Sequence, residues 1–405
     1  MNNSFQSPQP AQIAHAAARA KFGANNSFLV AWAPGRINII GEHTDYNDGF
    51  VTPIAIDKVA AIAGTVHTES LDVHLYATHF NQSADFSAQQ PPTHAHPQNL
   101  PLWARYISGV IAAFREKNLP IQGFSAAIAG DVPLGSGMSS SAALVVAAAV
   151  WLNAAFSLQL SLTQIAELAH EGEIIGSGVR VGLLDHLASA LGKEGSAVLI
   201  DCRSLEYRYI PFQMSDVTLL SCESGVERSL AASAYNQRRS ECETAAAALS
   251  AAIQLEQPTR KITALRDGSD YDLLRLGGRI PEIPRRRARH VISENNRVLS
   301  AVEAMENNHP QNLGDLILRS HASLRDDFEV SCAELDIIVE LATRSGAYGA
   351  RLTGAGFGGS ALIFAPNSAV ATIKNTLDGE YMQRCGKQSR IHDVTPAGGP
   401  NSVWL

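Results

Sequence analysis

The spacing of hydrophobic and polar residues predicts both helices and strands along the chain. An amphipathic period predicts helices at residues 11–22, 103–114, 142–156, 228–254 and 288–307. Short apolar or alternating runs predict strands at residues 28–32, 37–40, 55–66, 124–129, 197–201 and 217–221. Pro34-Gly35 is predicted to break the first strand, and the Pro-, Gln- and His-rich stretch 82–100 to form a surface excursion.

The length of the chain predicts two domains. At 405 residues it exceeds the roughly 250–300 residues at which a single hydrophobic core stops growing. We place the boundary near 200–215 and divide the chain into domains 1–205 and 206–405. The cleft between two such domains is the default site for a ligand.

The composition of the chain is typical of a globular protein and argues against nucleic acid and membranes as binding partners. Hydrophobic residues make up 45% of the chain and charged residues 18%, which is typical of a well-cored globular protein. The net charge of −7 disfavours nucleic acid or an anionic membrane as a partner. The longest apolar run, 142–152, is shorter than the ~20 residues of a membrane span. The N-terminus lacks a signal pattern and the five cysteines form no CxxC pair, so we expect a soluble cytoplasmic protein with reduced thiols.

The turn PLGSGMSSSAAL, residues 133–144, has the features of an anion-binding loop. Gly135 and Gly137 let backbone N–H groups turn toward one point, and a predicted helix begins directly afterwards. Ser139, Ser140 and Ser141 supply hydroxyls and a helix cap. The lysine of a Walker loop is absent, so this is a different phosphate site or a simple glycine-serine connector.

A second glycine-rich stretch, TGAGFGGSAL at residues 353–362, matches G-x-G-x-x-G. The apolar residues that follow predict a strand, whereas a dinucleotide-binding fingerprint requires a helix at that point. We therefore reject the Rossmann interpretation. The loop either walls the phosphate pocket or only packs against it.

The stretch GRINIIGEHTDYNDGFVTP, residues 35–53, places polar groups directly after an apolar strand. Arg36 is the lone charge among apolar residues and needs a carboxylate or phosphate partner if it is buried. Glu42, His43 and Asp45 suit sugar hydroxyls, which both donate and accept hydrogen bonds. A metal site at His43 and Asp45 is the weaker alternative, and an exposed polar turn is the third.

Together these three stretches resemble the GHMP kinase superfamily and, within it, the galactokinases. The similarity continues through WARYISGV (103–110), GLLDHLASALGKEGSAVLIDCRSLE (182–206), SAYNQRRSEC (233–242), RRARHVISENNRV (286–298) and SHASLRDDFEVSCAELD (320–336). The resemblance implies an α+β fold of two domains with the active site between them. The N-terminal domain would be mixed α/β (ribosomal S5 domain 2-like) and the C-terminal domain ferredoxin-like.

The resemblance also implies roles for individual residues. The catalytic pair would be Asp185 and Arg36. The residues that hold the sugar would be Glu42, His43, Asp45, Gly182 and Tyr235. The nucleotide would lie on Gly135, Gly137, Ser139, Ser140 and Ser141, with Trp103 and Tyr106 near the adenine. Magnesium would be held by Ser141, or its neighbour Ser140, and by Glu173.

The chemistry of phosphoryl transfer agrees with these implied roles. Asp185 can take the proton of an anomeric hydroxyl as that hydroxyl attacks a phosphate. Arg36 would keep Asp185 ionised and neutralise charge on the transferred group. Without the resemblance, the favoured interpretations are a helix N-terminal acid for Asp185 and a core residue for Tyr235.

Several positions depart from the galactokinase pattern. His186 stands where glutamine is usual, Leu183-Leu184 replace Ile-Met, and Val181 replaces a common cysteine. Thr52 replaces a leucine and Val145 a frequent glutamate. None of them removes an implied catalytic group, but His186 and Thr52 leave the exact sugar open.

The main hypothesis is ATP- and Mg²⁺-dependent phosphorylation of the C1 hydroxyl of α-D-galactose, giving galactose 1-phosphate and ADP. One alternative is the same reaction on N-acetylgalactosamine, galacturonate or arabinose. The other is a non-catalytic sugar and ATP sensor, which the intact serine loop and Asp185 disfavour. We expect a monomer or weak dimer.

Overall fold

The computed structural model of the protein describes residues 7–24, 26–226 and 231–405. Within these ranges the strands are β1 (Leu29–Ile40), β2 (Phe50–His67), β3 (Asp72–Ala77), β4 (Gln82–Ser87), β5 (Gly123–Gly130), β6 (Ser196–Asp201), β7 (Tyr207–Pro211), β8 (Val217–Glu223), β9 (Gly349–Thr353), β10 (Ser360–Pro366), β11 (Arg390–Val394) and β12 (Asn401–Trp404). The α-helices are α1 (Gln9–Phe22), α2 (Leu102–Glu116), α3 (Ser140–Ala155), α4 (Leu162–Ser177), α5 (Leu184–Leu191), α6 (Ala231–Gln254), α7 (Asp270–Leu276), α8 (Glu282–Glu306), α9 (Pro310–Asp326), α10 (Ala333–Arg344), α11 (Val370–Thr376) and α12 (Met382–Cys385).

The strands form two sheets, one in each half of the molecule. The first has the order β12-β1-β2-β5-β3-β4, and β6 extends it by pairing with β2 and β7. It is mixed, because β3 and β5 run parallel while the other pairs are antiparallel. The second sheet has the order β11-β8-β10-β9 and is antiparallel. Its βαββαβ connectivity is that of a ferredoxin-like domain, so the expected α+β fold is confirmed.

Separate hydrophobic cores stabilise the two halves, and a third joins them. Helices α2 to α5 bury one face of the first sheet, and the alanine face of α1 covers strands on its other side. The second sheet packs against α6, α8 and α10. Between the halves, Ile37 and Ile39 of β1 pack with Val298 of α8 and with Leu362 and Phe364 of β10. This shared apolar contact fixes the loops of one half against those of the other.

Some sequence predictions about local structure are wrong. Pro34-Gly35 does not end a strand, because β1 runs through it with an irregularity in register between Pro34 and Arg36. Residues 82–87 of the predicted surface excursion form β4, which pairs with β3. The predicted helices at 103–114 and 142–156 are confirmed as α2 and α3. The predicted start at 228 of another helix lies outside the described residues.

The domain boundary at 205/206 stays a prediction. The sheet pairing places β7 and β12, both later in the chain, with the first sheet. The five cysteines are free thiols. No helix in the described part of the chain combines the length and the hydrophobicity needed to cross a membrane.

Candidate active site

Two adjoining cavities lie where the two halves meet. The smaller has a volume of about 400 Å³ and the larger about 740 Å³. They share a wall that includes Arg36, Asp185, Glu173, Tyr106 and Gly354. A small polar pocket joined to a longer one can hold two substrates side by side.

The residues expected to hold a sugar line the smaller cavity. This is where the structure places all five of them: Glu42, His43, Asp45, Gly182 and Tyr235. The loop between β1 and β2 carries three of them and turns through a 3₁₀ segment at Asp45–Asn47. Thr44 fixes this turn, because its Oγ1 lies 2.8 and 2.7 Å from the carbonyl oxygens of Gly41 and Phe50, which share its single proton.

Arg36 and Asp185 meet at the wall between the two cavities. The Nε of Arg36 donates to Oδ1 of Asp185 at 2.6 Å, and its Nη2 contacts the same oxygen. The Arg36 side chain is 5% exposed, whereas that of Asp185 is 33% exposed. Burial raises the pKa of Asp185, but Arg36 and a hydrogen bond from Ser139 outweigh it and hold that pKa below its ordinary value. The carboxylate is therefore ionised at neutral pH and open to the cavity.

Ser139 contacts Asp185 and does not cap the helix as predicted. It occupies the N-cap position of α3 in a left-handed conformation (φ 58°), without a side-chain capping bond. Its Oγ donates to Oδ2 of Asp185 at 2.5 Å. The backbone of the same turn is tied to Arg36, whose Nη1 donates to the Gly137 carbonyl at 2.6 Å. The serine turn and the Arg36–Asp185 pair therefore form one hydrogen-bonded unit.

The larger cavity is lined by the glycine-serine turn. Gly135, Gly137, Ser139, Ser140 and Ser141 all contribute to its wall. Gly135 and Gly137 have φ values of 74° and 81°, a region that glycine adopts without strain. The first turn of α3 follows at Ser140, so the positive end of the helix dipole faces this cavity. Such an arrangement favours an anionic ligand.

Trp103 and Tyr106 of α2 also line the larger cavity. The Nε1 of Trp103 donates to Oε1 of Gln82 at 3.1 Å, which fixes its indole ring at the cavity wall. Burial raises the pKa of Tyr106 to about 12, so its hydroxyl remains protonated. The glycine loop after β9 contributes Gly354 and Ala355 to both cavities, which favours the pocket-wall interpretation of that loop.

Glu173 of α4 is part of the shared wall and is held by His186. The Nε2 of His186 lies 2.8 Å from Oε2 of Glu173, and both side chains are almost completely buried. The His186 ring also packs edge-on against that of His170, with centroids 5.2 Å apart. The sequence marked His186 as a departure but did not predict this contact. An imidazole N–H here can supply the donor that a glutamine amide would.

The weaker metal interpretation of His43 finds no support in its contacts. Its Nδ1 lies 2.8 Å from the Tyr46 hydroxyl and its Nε2 3.2 Å from the Ala355 carbonyl. Burial, more than the neighbouring His290, lowers the pKa of His43 to about 3. Across the described residues, no group of three or more His, Cys, Asp and Glu side chains is arranged to hold a metal ion. His43 is therefore a neutral ring fixed by protein groups on both nitrogens.

Asp45 is pressed against the backbone of Gly182. A Cβ atom added to Gly182 would lie 1.6 Å from Oδ2 of Asp45, so a larger residue there requires Asp45 or the backbone to move. Burial raises the pKa of Asp45 to about 7, and the carboxylates of Asp185 and Glu42 add to the rise. Four acidic side chains, those of Glu42, Asp45, Glu173 and Asp185, thus line one small cavity together with the guanidinium of Arg36.

This crowding predicts that Asp45→Asn stabilises the ligand-free protein above neutral pH. Asp45 has an ordinary pKa of 3.8, so between pH 3.8 and 7 the folded protein holds more protons than the unfolded chain. Its stability therefore falls as the pH rises through that window. Asparagine does not ionise, so the variant keeps the folding free energy that the wild type loses as Asp45 ionises, up to about 4 kcal/mol. Thermal melts should show the variant several degrees more stable at pH 8, with a gap that narrows toward pH 4; a gap independent of pH would contradict the assignment.

Sequence reasoning missed the buried residues behind Glu42. Oε1 of Glu42 accepts from Arg351 and Thr353 of β9 at 2.6 and 3.2 Å and from the Gly354 amide at 2.7 Å. Arg351 is fully buried. The signal that identified Arg36, a lone arginine within an apolar strand, also occurs at Arg351 in GARLTG.

Family models and known proteins agree with this geometry. The galactokinase galactose-binding signature matches residues 11–66, the GHMP kinase N-terminal domain residues 105–193 and the GHMP kinase C-terminal domain residues 301–383. The mevalonate kinase of Methanococcus jannaschii shares the fold, with a TM-score of 0.64, 17% identity, and alignment of 92% of this chain and all of that one. Fold and cavities together define a GHMP-type kinase.

Closer relatives identify the branch of that superfamily. The galactokinase of Roseiflexus sp. (strain RS-1) is 40% identical over 376 residues, 93% of each chain. That of Thermotoga petrophila is 35% identical over 92% of this chain and 99% of its own. The crystal structure of Lactococcus lactis galactokinase complexed with galactose aligns with a TM-score of 0.88, 30% identity, and coverage of 96% and 98% of the two chains. The chain belongs to the galactokinase family.

Proposed function

We propose that the protein phosphorylates the C1 hydroxyl of α-D-galactose with ATP, giving galactose 1-phosphate and ADP. The observation that carries the proposal is the position of the Arg36–Asp185 pair, which borders the sugar-sized cavity on one side and the glycine-serine turn on the other. Family membership supports ATP as the donor and galactose as the acceptor.

In this mechanism the smaller cavity orients the sugar and Asp185 accepts the proton. Glu42, Asp45 and Tyr235 would hold the ring hydroxyls, with Gly182 leaving room for Asp45 and the fixed His43 ring supporting the wall.

As the C1 oxygen forms its bond to the γ-phosphorus, the bond from that phosphorus to the β-bridging oxygen breaks and its electrons leave with ADP. The C1 hydroxyl proton passes to Oδ2 of Asp185, the oxygen that Ser139 now contacts.

Arg36 and the glycine-serine turn stabilise the transferred charge. The guanidinium of Arg36 is planar, permanently charged and held rigidly by Asp185 and the Gly137 carbonyl. Backbone N–H groups of Gly135 and Gly137 and the N-terminus of α3, with Ser140, would cradle the phosphates, and Trp103 would border the base. Groups fixed before the reaction begins stabilise developing charge without reorganisation.

Magnesium fits the oxygen donors that this site offers. The Ser141 hydroxyl and the Glu173 carboxylate are hard ligands next to the expected phosphates, and Mg²⁺ typically takes one or two protein oxygens beside phosphates and water. Bound there, the ion would neutralise phosphate charge. On this proposal His186 keeps Glu173 oriented.

Glu173→Gln is therefore expected to raise the Mg²⁺ concentration required for half-maximal rate by roughly tenfold or more. Galactose KM should change little, because the ion acts on the nucleotide side. The control is Glu171→Gln on the same helix, which alters an exposed residue paired with Lys117. An unchanged Mg²⁺ requirement in Glu173→Gln would remove Glu173 from the proposed metal site.

A sugar panel tests the function itself. ADP release is measured with galactose, N-acetylgalactosamine, galacturonate and arabinose under identical conditions. We expect galactose to give the highest kcat/KM. Preference for another sugar would move the assignment to that sugar, and binding of sugar and ATP without turnover would make the protein a sensor. The monomer or weak dimer expected from the sequence stays a prediction that a sedimentation experiment can test.

A further inference from the structure

Three residues from one short segment of the C-terminal half, 351–354, converge on one oxygen of Glu42. The side chains of Arg351 and Thr353 and the amide of Gly354 all donate to Oε1, and the Glu42 side chain is only 6% exposed. Arg351 also donates from Nη2 to the Asn38 carbonyl at 3.1 Å. Glu42 belongs to the loop of the N-terminal half, so these bonds cross between the halves.

A second buried carboxylate, Glu294 of α8, balances the charge of this cluster. Its Oε1 accepts from the Gly41 amide at 3.0 Å and from the Ser320 hydroxyl at 2.6 Å, and lies 3.8 Å from Nη1 of Arg351. Its Oε2 accepts from Nε of Arg297 at 2.6 Å. Burial raises the pKa of Glu294, but Arg297 and its other cationic neighbours outweigh that effect and lower the pKa to about 2. Glu294 therefore stays ionised at neutral pH beside Arg297 and Arg351.

Helix α8 also holds both ends of the loop that carries Glu42. Nε2 of His290 lies 3.0 Å from the Glu42 carbonyl, and Oδ1 of Asn295 accepts from the Phe50 amide at 2.8 Å. The loop is thus anchored by the opposite half of the molecule at its beginning, at Glu42 and at its end. A buried polar network in which each charge has partners specifies one arrangement strongly.

The consequence for Glu42 is a fixed carboxylate plane. Among the described residues, every hydrogen bond to this carboxylate goes to Oε1, which leaves Oε2 for the smaller cavity that Glu42 lines. A carboxylate accepts but does not donate, so a fixed Oε2 selects a ligand with a hydroxyl at one position. If Glu42 could rotate, that selection would weaken.

We infer that Arg351, Thr353 and Glu294 of the C-terminal half are positioning residues for sugar recognition, acting through Glu42. This inference rests on the proposed function, since it takes the ligand of the smaller cavity to be a sugar. It assigns part of the sugar specificity to residues that do not touch the sugar. It also separates them from the catalytic pair, because none of their hydrogen bonds among the described residues reaches Arg36 or Asp185.

Thr353→Val tests the inference with little change in shape. It removes one donor to Glu42 while the buried volume stays nearly the same. We expect galactose KM to rise about tenfold, the cost of losing a hydrogen bond to a charged group, with kcat and ATP KM almost unchanged. Thr353→Ser keeps the hydroxyl and should restore the wild-type value. The matched control is Thr218→Val on β8, which removes a threonine hydroxyl that donates to Asn367 and lines neither cavity.

A monodeoxygalactose series makes the test specific for Glu42. If Thr353 acts by fixing Glu42, whose Oε2 meets one sugar hydroxyl, then Thr353→Val should raise KM less for the monodeoxy sugar that lacks this hydroxyl. The inference would be overturned if Thr353→Val raised KM by the same factor for galactose and for every monodeoxy sugar. A rise in ATP KM equal to the rise in galactose KM would also overturn it. So would a galactose KM equal to that of the Thr218→Val control.

Arg351→Lys provides a second measurement if Thr353→Val does not fold. Lysine keeps the charge that Glu42 and Glu294 need but cannot reach Glu42 and the Asn38 carbonyl together. Galactose KM should then rise more than tenfold with ATP KM preserved, and wild-type values for both would overturn the inference. Failure of the wild-type protein to phosphorylate galactose would count against the proposed function instead.

Discussion

Asp185→Asn is expected to lower kcat about 10³-fold, the contribution that a positioned general base typically makes. Asparagine retains a carbonyl oxygen that can accept from Arg36, so the 2.6 Å contact survives while the basic carboxylate is lost. Galactose and ATP affinities should stay within about threefold of wild type, because in the proposed mechanism Asp185 acts mainly as the C1 oxygen attacks. A coupled ADP assay gives kcat, and calorimetry gives the two affinities.

Two controls make this result specific. Asp315→Asn applies the same chemical change to an exposed residue of α9 that pairs with Arg319, and it should leave kcat unchanged. A melting temperature close to wild type shows that Asp185→Asn is folded. If the folded variant kept more than about a tenth of the wild-type kcat, Asp185 would not be the base.

Gly182→Ala is expected to lower kcat/KM for galactose about 100-fold. The added methyl group would lie 1.6 Å from Oδ2 of Asp45, so either the carboxylate or the segment before α5 must move. Moving Asp45 would remove its proposed hydrogen bond to the sugar, worth up to about 1.5–3 kcal/mol when the carboxylate is ionised. ATP KM should change little, because Gly182 lines only the smaller cavity. Steady-state kinetics with each substrate varied in turn measures both effects.

The matched control for this substitution is Gly278→Ala. An added Cβ at Gly278 meets nothing within 4 Å, so the same chemical change should be neutral there. A Gly182→Ala variant with wild-type galactose KM would show that Asp45 has room to move and does not need its present position to bind the sugar.

The strongly periodic segments of the fold were predictable from the sequence, and those decided by tertiary contacts were not. The alanine- and valine-rich α3 and the alternating β5 are unambiguous patterns, and both are confirmed. Pro34-Gly35 is a common strand breaker, yet β1 continues through it because β2 pairs with both sides of the irregularity. Only pairing with a distant segment resolves that ambiguity.

The same division applies to the candidate site. A lone arginine in an apolar strand predicted that Arg36 needs a partner, and the structure places that partner, Asp185, 149 residues further along the chain. Local reasoning assigned the Ser139 hydroxyl to a helix cap, but its nearest acceptor comes from α5. Arg351 carries the same local signal as Arg36, a lone arginine in an apolar strand, but its partner Glu42 lies 309 residues away in the chain. Glu294 carries no such signal, because its partners Gly41, Ser320 and Arg351 come from other segments.

The most direct test of the central claim, that Asp185 and Arg36 act on the C1 oxygen of galactose, is the position of the phosphate in the product. Wild-type protein is incubated with ATP, Mg²⁺ and galactose, and the product is examined by ³¹P NMR. We predict a single sugar phosphate whose phosphorus couples to the anomeric proton, as in α-galactose 1-phosphate. A phosphate on any other carbon, or release of inorganic phosphate with the sugar unchanged, would contradict this mechanism.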